Sequence, residues 1–544
     1  MRRKTVVLLG LVAFIAFLSG GWLLQRGGAR AGNIYQQARM FESVVAYVAD
    51  YYVDSLGEGQ VYDMAIDGLL RELGDPYTTF LRPDDFERLR ISTTGNYGGL
   101  GIRIEVSDGW ITVVAPLPGT PAERAGVQAG DRIIEVDGES THEWAIDHAV
   151  SELRGPAGEP VDITIARPGI PEPLEFTIER ARIHVKSVQY GTVLPGGIGY
   201  VQLATVSEAS ARELAEEIER LRGEGATSLI LDLRNNPGGL LNEGVAVTDL
   251  FLDKGQVVVE TRGRAPGASA VHRAARDQQW ADMLLVVLVN QNSASAAEII
   301  AGALQDHDRG LILGATTFGK GLVQTVFELG PGQQALKITT GRWYTPSGRV
   351  LERPDQQDRT RIAAVVAPDE EPITAVTAPE PPDSLRFYTD GGRVVYGGGG
   401  IRPDLVVALD GLNEAGQRFA RALGRRIPDY RSALTTYALE IKGEGKIKDP
   451  DFSVTRAMRT ELVQRLEERG IDLADSVWAG AAELLDLQIG YEVTRYVFGR
   501  PAEIRRQMQR DAQVKQAIAL LRQATTPNEL LTLAMRAQED SSRN

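Results

Sequence analysis

Between residue 183 and about 350 the chain repeats one pattern, a short apolar run followed by an amphipathic stretch. Ile198–Leu203, Ser228–Leu233, Leu284–Val289 and Gly310–Leu313 have the length and composition of strands, and Glu208–Arg222 and Ser295–Gln305 have the spacing of helices. Strands that alternate with helices define an α/β unit. The largest core of the molecule is expected here.

The flanking regions read differently. Residues 34–90 predict two or three helices, with Phe41, Val44, Val45, Val48 and Tyr52 on one face and Ala65, Ile66, Leu69 and Leu73 on another. From 95 to 182 short strands with Gly/Pro turns predict one small β-rich module. Residues 352–382 are rich in proline and acids and poor in aromatics, a composition that cannot bury enough surface to order itself; they read as a mobile insertion. Strand-like segments return at Arg386–Tyr396 and Leu405–Val407. Past about 410 the pattern is helical, with long stretches at Ser453–Arg469, Val477–Phe498 and Ala502–Gln523. The expected domains are therefore 1–31, 32–94, 95–182, 183–409 and 410–544.

Composition narrows the chemistry. The 544 residues carry 59 Lys and Arg against 73 Asp and Glu, a net charge of −14, which argues against nucleic acid as the main partner. With no cysteine, disulfides, thiolate metal sites and cysteine nucleophiles are excluded. Five scattered histidines without an HExxH pattern make a zinc enzyme a poor fit, and no metal or cofactor is expected. Arg2, Arg3 and Lys4 precede an uncharged stretch, Thr5–Leu24, long enough to span a bilayer. It reads as a retained signal anchor; Ala29-Arg30-Ala31 offers cleavage before Gly32 as the alternative. Either reading places Gly32 onward outside the cytoplasm, in a cell envelope.

Within the β-rich module, Gly98-Gly99-Leu100-Gly101-Ile102 is followed by Ala125-Gly126-Val127-Gln128-Ala129-Gly130-Asp131-Arg132-Ile133-Ile134-Glu135-Val136-Asp137-Gly138. Joined at this distance, the two stretches resemble a PDZ domain of the kind found in bacterial proteases. The chemistry is direct. Consecutive N–H groups of a glycine-rich turn can cup a terminal carboxylate, and the strand behind it can pair with an extended peptide. Gly99, Leu100, Gly101 and Ile102 are the expected peptide-binding residues, with Leu100 and Ile102 as the apolar wall and Asp147–Leu153 as the helix along the groove. The competing reading is a β-module without a ligand. Arg154 and Arg167 read as solvated arginines, with contact between domains as the second option.

Three stretches of the α/β unit stand out together: Asp232-Leu233-Arg234-Asn235-Asn236-Pro237-Gly238-Gly239, Asn290-Gln291-Asn292-Ser293-Ala294-Ser295-Ala296-Ala297-Glu298 and Thr317-Phe318-Gly319-Lys320-Gly321-Leu322-Val323-Gln324. The second places a small polar cluster between an apolar strand and a helix. A serine there is most often a cap, and Ser293 is the better capping candidate. Taken in order, with Gly74-Asp75-Pro76-Tyr77-Thr78, Tyr344-Thr345-Pro346-Ser347-Gly348 and Gly400-Ile401-Arg402-Pro403-Asp404, these motifs resemble the carboxyl-terminal processing proteases, the Ser/Lys tail-specific peptidases of family S41. The resemblance covers about residues 35–410. It implies a crotonase-like ββα core with the PDZ domain inserted. It also makes Ser295 the nucleophile, Lys320 the general base and Gln324 the residue that orients the lysine, with N–H groups of Gly239 or Gly238 and of Ala296 as the oxyanion hole.

The physical requirement stands beside the resemblance. A serine hydroxyl needs a base, and a lysine with an ordinary pKa of about 10.4 is charged near pH 7. Lys320 must be buried for desolvation to lower that value; Gly319, Gly321 and the apolar Phe318, Leu322 and Val323 allow close packing around it. Gln324, four residues on, would share its face in helix or strand. A Ser-His-Asp triad is the competing arrangement; its candidates are His142, His148, His184, His272 and His307, with Asp306-His307-Asp308 the most tempting cluster. The expected activity is a serine endopeptidase acting on protein tails with free C-termini, with tail binding by the module gating the catalytic site. The alternatives are a silent PDZ scaffold and an acyl-transfer enzyme on a similar core. The C-terminal helices are expected to cap the core, self-associate or bind an adaptor.

Overall fold

The computed structural model describes residues 34–330, 334–352, 385–408 and 412–543. The Thr5–Leu24 stretch and all but the first residue of the 352–382 insertion lie outside these residues. The chain divides into two compact units, residues up to Phe86 with Gln324–Thr339, and Glu87–Val323 with Thr340 onward.

In the first unit, helices α1 (residues 34–51) and α2 (Glu58–Glu72) precede strand β1 (Thr79–Leu81). Thr79, Phe80 and Leu81 pair antiparallel with Lys337, Leu336 and Ala335. Asp75 builds the turn before β1: its carboxylate accepts the Tyr77 N–H at 3.0 Å and the Thr78 hydroxyl at 2.6 Å. The helical faces differ from expectation. Phe41, Val44, Tyr52, Leu69 and Leu73 are exposed, whereas Val45, Val61 and Leu70 are buried. Large apolar side chains, among them Tyr35, Met40, Tyr47 and Tyr51, surround α1, so spacing alone does not single out the face that finds a partner.

Helix α3 (Pro83–Thr94), which enters the second unit at Glu87, leads into β2 (Asn96–Gly99), which pairs antiparallel with β9 (Ala181–His184). This two-stranded ribbon is the neck of the β-rich module. Inside the module lie β3 (Ile102–Ser107), β4 (Trp110–Pro116), helix α4 (Pro121–Ala125), β5 (Arg132–Val136), β6 (Glu139–Ser140), helix α5 (Ile146–Leu153), β7 (Pro160–Ala166) and β8 (Leu174–Glu179). The strand order is β3-β4-β5-β7-β8, with β6 on β5, so β3 is an edge. Alternate strand residues Ile111, Val113, Ile163 and Ile165 meet Leu100, Ala149 and Leu153 in the module's own core.

The central sheet follows. Its strands are β10 (Val188–Leu194), β11 (Ile198–Leu203), β12 (Ser228–Asp232), β15 (Leu284–Val289), β16 (Leu311–Gly314) and β21 (Leu405–Val406), adjacent in that order. Only β10 runs antiparallel to its neighbour. Parallel strands must be covered on both faces, which is why they read as continuous apolar runs. On one face Val201, Leu203, Leu229, Leu231 and Val287 meet helices α6 (Ser210–Gly223), α7 (Leu241–Asp249) and α8 (Ala296–Asp306). On the other, Tyr200, Ile230, Val286, Leu288 and Leu313 meet helices from the C-terminal extension. Strand β13 (Val257–Gly263) pairs with β14 (Ala270–Arg273) and with the last residues of β18 (Gln334–Tyr344), which follows β17 (Leu322–Leu329). Strands β19 (Arg386–Tyr388) and β20 (Val394–Tyr396) form a hairpin.

The extension is α9 (Glu414–Leu423), α10 (Ile427–Glu444), α11 (Arg456–Glu468), α12 (Asp475–Gly480), α13 (Ala482–Phe498), α14 (Arg500–Met508), α15 (Ala512–Leu521) and α16 (Pro527–Arg543). Helices α9 to α13 share a core of their own around Phe419, Tyr430, Leu462, Trp478 and Ile489. The stretch expected as one helix over Ala502–Gln523 is two. The Asp511 carboxylate accepts the N–H groups of Gln513 and Val514 at 2.9 and 3.0 Å and starts a new helix there.

Candidate active site

Strand β15 delivers the chain to a tight turn and then to α8. The residue at the turn is Ser295, the N-cap of α8, with φ 54° and ψ −117°. A non-glycine residue rarely holds a positive φ, and such strain persists only where the surroundings impose it. The surroundings are visible. Asn290, Asn292 and Asn235 are laced together: Asn290 Oδ1 accepts the Asn235 N–H at 2.9 Å, and the side-chain amides of Asn290 and Asn292 both donate to Asn235 Oδ1 at 2.9 Å. Ala294 N–H donates to the Asn236 carbonyl at 2.9 Å. Ser293 is not the cap that spacing suggests; it is fully buried, and its hydroxyl donates to the Leu233 carbonyl at 2.8 Å. These bonds clamp the 233–239 loop to the 290–294 loop.

The clamp brings Gly238 against the serine. A Cβ on Gly238 would fall 2.8 Å from both the Ala296 nitrogen and Ser295 Cβ, so no larger residue fits. Of the three N–H groups expected at the oxyanion hole, that of Gly238 is taken, donating to Asn236 Oδ1 at 2.8 Å. The N–H groups of Gly239 and Ala296 have no acceptor among the described residues. Ala296 is the first residue of α8, where an unpaired N–H and the positive end of the helix coincide.

Glu298 ties the other side together. It is fully buried, and Oε2 accepts the N–H groups of Ser295 and Lys320, both at 2.9 Å. Oε1 accepts the Gly319 N–H at 2.6 Å and the Thr317 hydroxyl at 2.5 Å. Burial pushes its pKa up, and the four donors work against that rise. The loop holding Lys320 is pinned further by Phe318 N–H on the Ser293 carbonyl at 3.0 Å and by Trp343 Nε1 on the Lys320 carbonyl at 2.9 Å. Lys320 is half-buried rather than enclosed. Gln324 lies in the other unit, on β17, and its Nε2 is buried with no hydrogen-bond partner among the described residues. Lys320 sits in the loop before β17, so the shared-face argument for this pair does not hold: only residues within one regular element repeat their direction every fourth position.

The histidines are engaged elsewhere. His307 contacts Asp390 at 2.7 Å and the Val257 carbonyl at 2.8 Å, while Asp306 pairs with the buried Arg349 and Asp308 with Arg393. His184 contacts Glu213 at 2.5 Å. His142 and His148 lie against Trp110 and Trp144, and His272 stands opposite Val259 on β14. Among the described residues, no group of three or more His, Asp or Glu side chains is placed to hold a metal ion. A polar cavity of about 220 Å³ lies below the 232–235 loop, lined by Asp232, Arg234, Asn290, Arg500 and Gln507; Ser295 and Lys320 do not line it.

In the β-rich module, Leu100 is 2% exposed and belongs to the module core. Its side chain therefore does not wall a ligand pocket; Ile102, half-buried at the start of β3, is the apolar residue available there. The N–H groups of Leu100 and Gly101 have no acceptor among the described residues. Gly99 pairs with Ala181 in the neck. Gly101 has φ 76°, and a Cβ on it would strike Thr120 at 2.4 Å. Arg154 stacks on Tyr97, and Arg167 pairs with the buried Asp131 at 2.7 Å, both inside the module and its neck.

A strained serine at a helix start, two unpaired N–H groups beside it and a lysine loop tied to it define a serine hydrolase with an attached peptide-binding module. Residues 197–358 match Peptidase family S41, and residues 112–167 match the PDZ domain. The carboxy-terminal-processing protease of Bartonella bacilliformis is 40% identical over 324 residues, covering 59% of this chain and 74% of that one. The carboxyl-terminal-processing protease of a Synechocystis species is 39% identical over 289 residues, covering 52% and 66%. Among solved structures, a photosystem II D1 C-terminal processing protease aligns with 33% identity over 57% of this chain and 83% of that one, at a TM-score of 0.34. The chain belongs to the carboxy-terminal processing proteases of family S41, serine-type peptidases with a PDZ domain.

Proposed function

We propose that this chain is a serine endopeptidase of the cell envelope that binds substrates by their free C-terminal tails and cleaves them through an acyl-enzyme on Ser295. The observation that carries the reading is the strained Ser295 turn flanked by the unpaired N–H groups of Ala296 and Gly239. In this reading Lys320 takes the hydroxyl proton as Ser295 Oγ attacks the scissile carbonyl. The N–H groups of Gly239 and Ala296 receive the oxyanion. The lysine then protonates the leaving amine, and water hydrolyses the ester. Gln324 is assigned to orient the lysine on its motif alone.

Tail recognition falls to the module. The Leu100 and Gly101 N–H groups are free to meet a carboxylate, and the β3 edge is available for an added strand. Tail occupancy that favours the aligned catalytic arrangement would gate turnover. The envelope location rests on the three cations ahead of Thr5–Leu24, which would anchor the chain with Gly32 onward outside the cytoplasm. Self-association or adaptor binding is assigned to the outer faces of the C-terminal helices. The decisive experiment combines a serine-directed covalent probe with turnover of tailed and amidated substrates. Ser295→Ala should abolish labelling, and Ser295→Ala and Lys320→Ala should each lower turnover at least about a thousandfold. Undiminished turnover in either variant sinks the assignment.

A further inference from the structure

We propose that Arg103, backed by Arg500 of the C-terminal extension, makes the tail-binding edge selective for an acidic side chain at the penultimate position of the substrate. The inference rests on reading β3 as the edge that receives a C-terminal tail. Ile102 and Ile104 pack against the module core, so Arg103 and Glu105 project from the opposite face of the strand. That face is covered by the extension: Glu105 accepts the Tyr496 hydroxyl at 2.8 Å. Partial burial first, and then repulsion from Arg500 and Arg495 against the weaker attraction of Glu503, hold the Arg103 guanidinium below its ordinary value.

The acids around Arg103 are engaged by other groups. Glu503 is engaged by Arg495 at 2.9 Å and by Arg500 at 2.7 Å, and Glu492 by Arg495 at 3.0 Å. The Arg103 side chain has no ion pair or hydrogen bond among the described residues. A peptide strand added to β3 alternates its side chains in step with it. With the terminal side chain on the Ile102 side, the penultimate one falls on the Arg103 side. An Asp or Glu there gives the Arg103 side chain an ion pair. Arg500 lies beyond both family matches, which end at residues 167 and 358, so the selectivity belongs to the chain's own extension.

The test uses the full chain carrying Ser295→Ala and fluorescent peptides that differ only near the C-terminus, with binding read by anisotropy. A free tail with penultimate Glu should bind about three- to tenfold tighter than its Gln counterpart. A Lys at that position should bind weakest. Glu moved one residue further from the end should give no advantage. Arg103→Gln should erase the preference for Glu, and Arg500→Gln should reduce it. Equal affinity for Glu and Gln tails, or a preference that survives Arg103→Gln, overturns the proposal. Free and amidated tails that bind alike overturn the groove reading itself, and this proposal with it.

Discussion

Glu298 joins two loops whose contact points, the Ser295 and Lys320 N–H groups, lie 25 positions apart and meet on the same carboxylate oxygen, while the Gly319 N–H and the Thr317 hydroxyl meet on the other. A side chain with one acceptor atom cannot hold all four donors. Glu298→Gln replaces an acceptor with a donor facing N–H groups, and it should lower kcat about ten- to a hundredfold with KM little changed. Because burial raises the pKa of Glu298, its stability contribution is greatest below the unfolded carboxylate range and declines as pH rises through the folded value. The melting temperature of Glu298→Gln should therefore lack the decline with rising pH that this carboxyl gives the unsubstituted chain. Acid has the reverse effect on turnover: protonation gives one oxygen a hydrogen to donate, loosening the tether. The pH–rate profile should show an acid limb that the glutamine variant lacks.

At the scale of elements, the β3–β4 turn is fastened to the extension through Asp108. Its carboxylate takes Arg469 at 2.6 Å and Ser432 at 2.5 Å, and these bonds, the Arg469 one foremost, lower its pKa to about 2. A depressed carboxylate contributes stability above its unfolded pKa and loses it as pH falls through the folded one, here between about 4 and 2. Hydrogen exchange in β3–β4 and α10 should lose protection across that window, and Asp108→Asn should remove the step. At this partly exposed site the contact contributes roughly 1 kcal/mol. Elements of this kind divide by how they can be read. Ile198–Leu203 and Leu284–Val289 were legible to the residue, since a strand buried on both faces reads as a near-continuous apolar run. The three stretches that meet around Ser295 were legible as motifs. Glu298 was not, because a glutamate three residues into a helix looks like an ordinary cap partner until the Thr317–Lys320 loop folds onto it. Nor was the Asp108 contact, whose partners lie more than 300 residues away; an amphipathic pattern marks a face for burial without naming what covers it.

In the whole molecule the extension does two separate tasks. Helices α14 to α16 cover Tyr200, Ile230, Val286, Leu288 and Leu313 on the central sheet, and α10 to α13 hold the β-rich module, where Leu439 packs against Gly130 and Lys442 Nζ donates to the Ala129 carbonyl at 2.5 Å. Uncovering five large side chains at about 1.5–3 kcal/mol each removes about 10 kcal/mol, comparable to the total stability of a typical domain. A chain ending at residue 411 should be recovered as aggregate, whatever becomes of its catalytic loops, and soluble yield with light scattering measures this. The neck of the module has a different implication. Its two strands set Asn96 opposite His184, so the ends of everything between them lie side by side. Such a segment can be lifted out as a cassette, and a different clamp with neighbouring ends could be spliced onto the same hydrolase to redirect it to new targets.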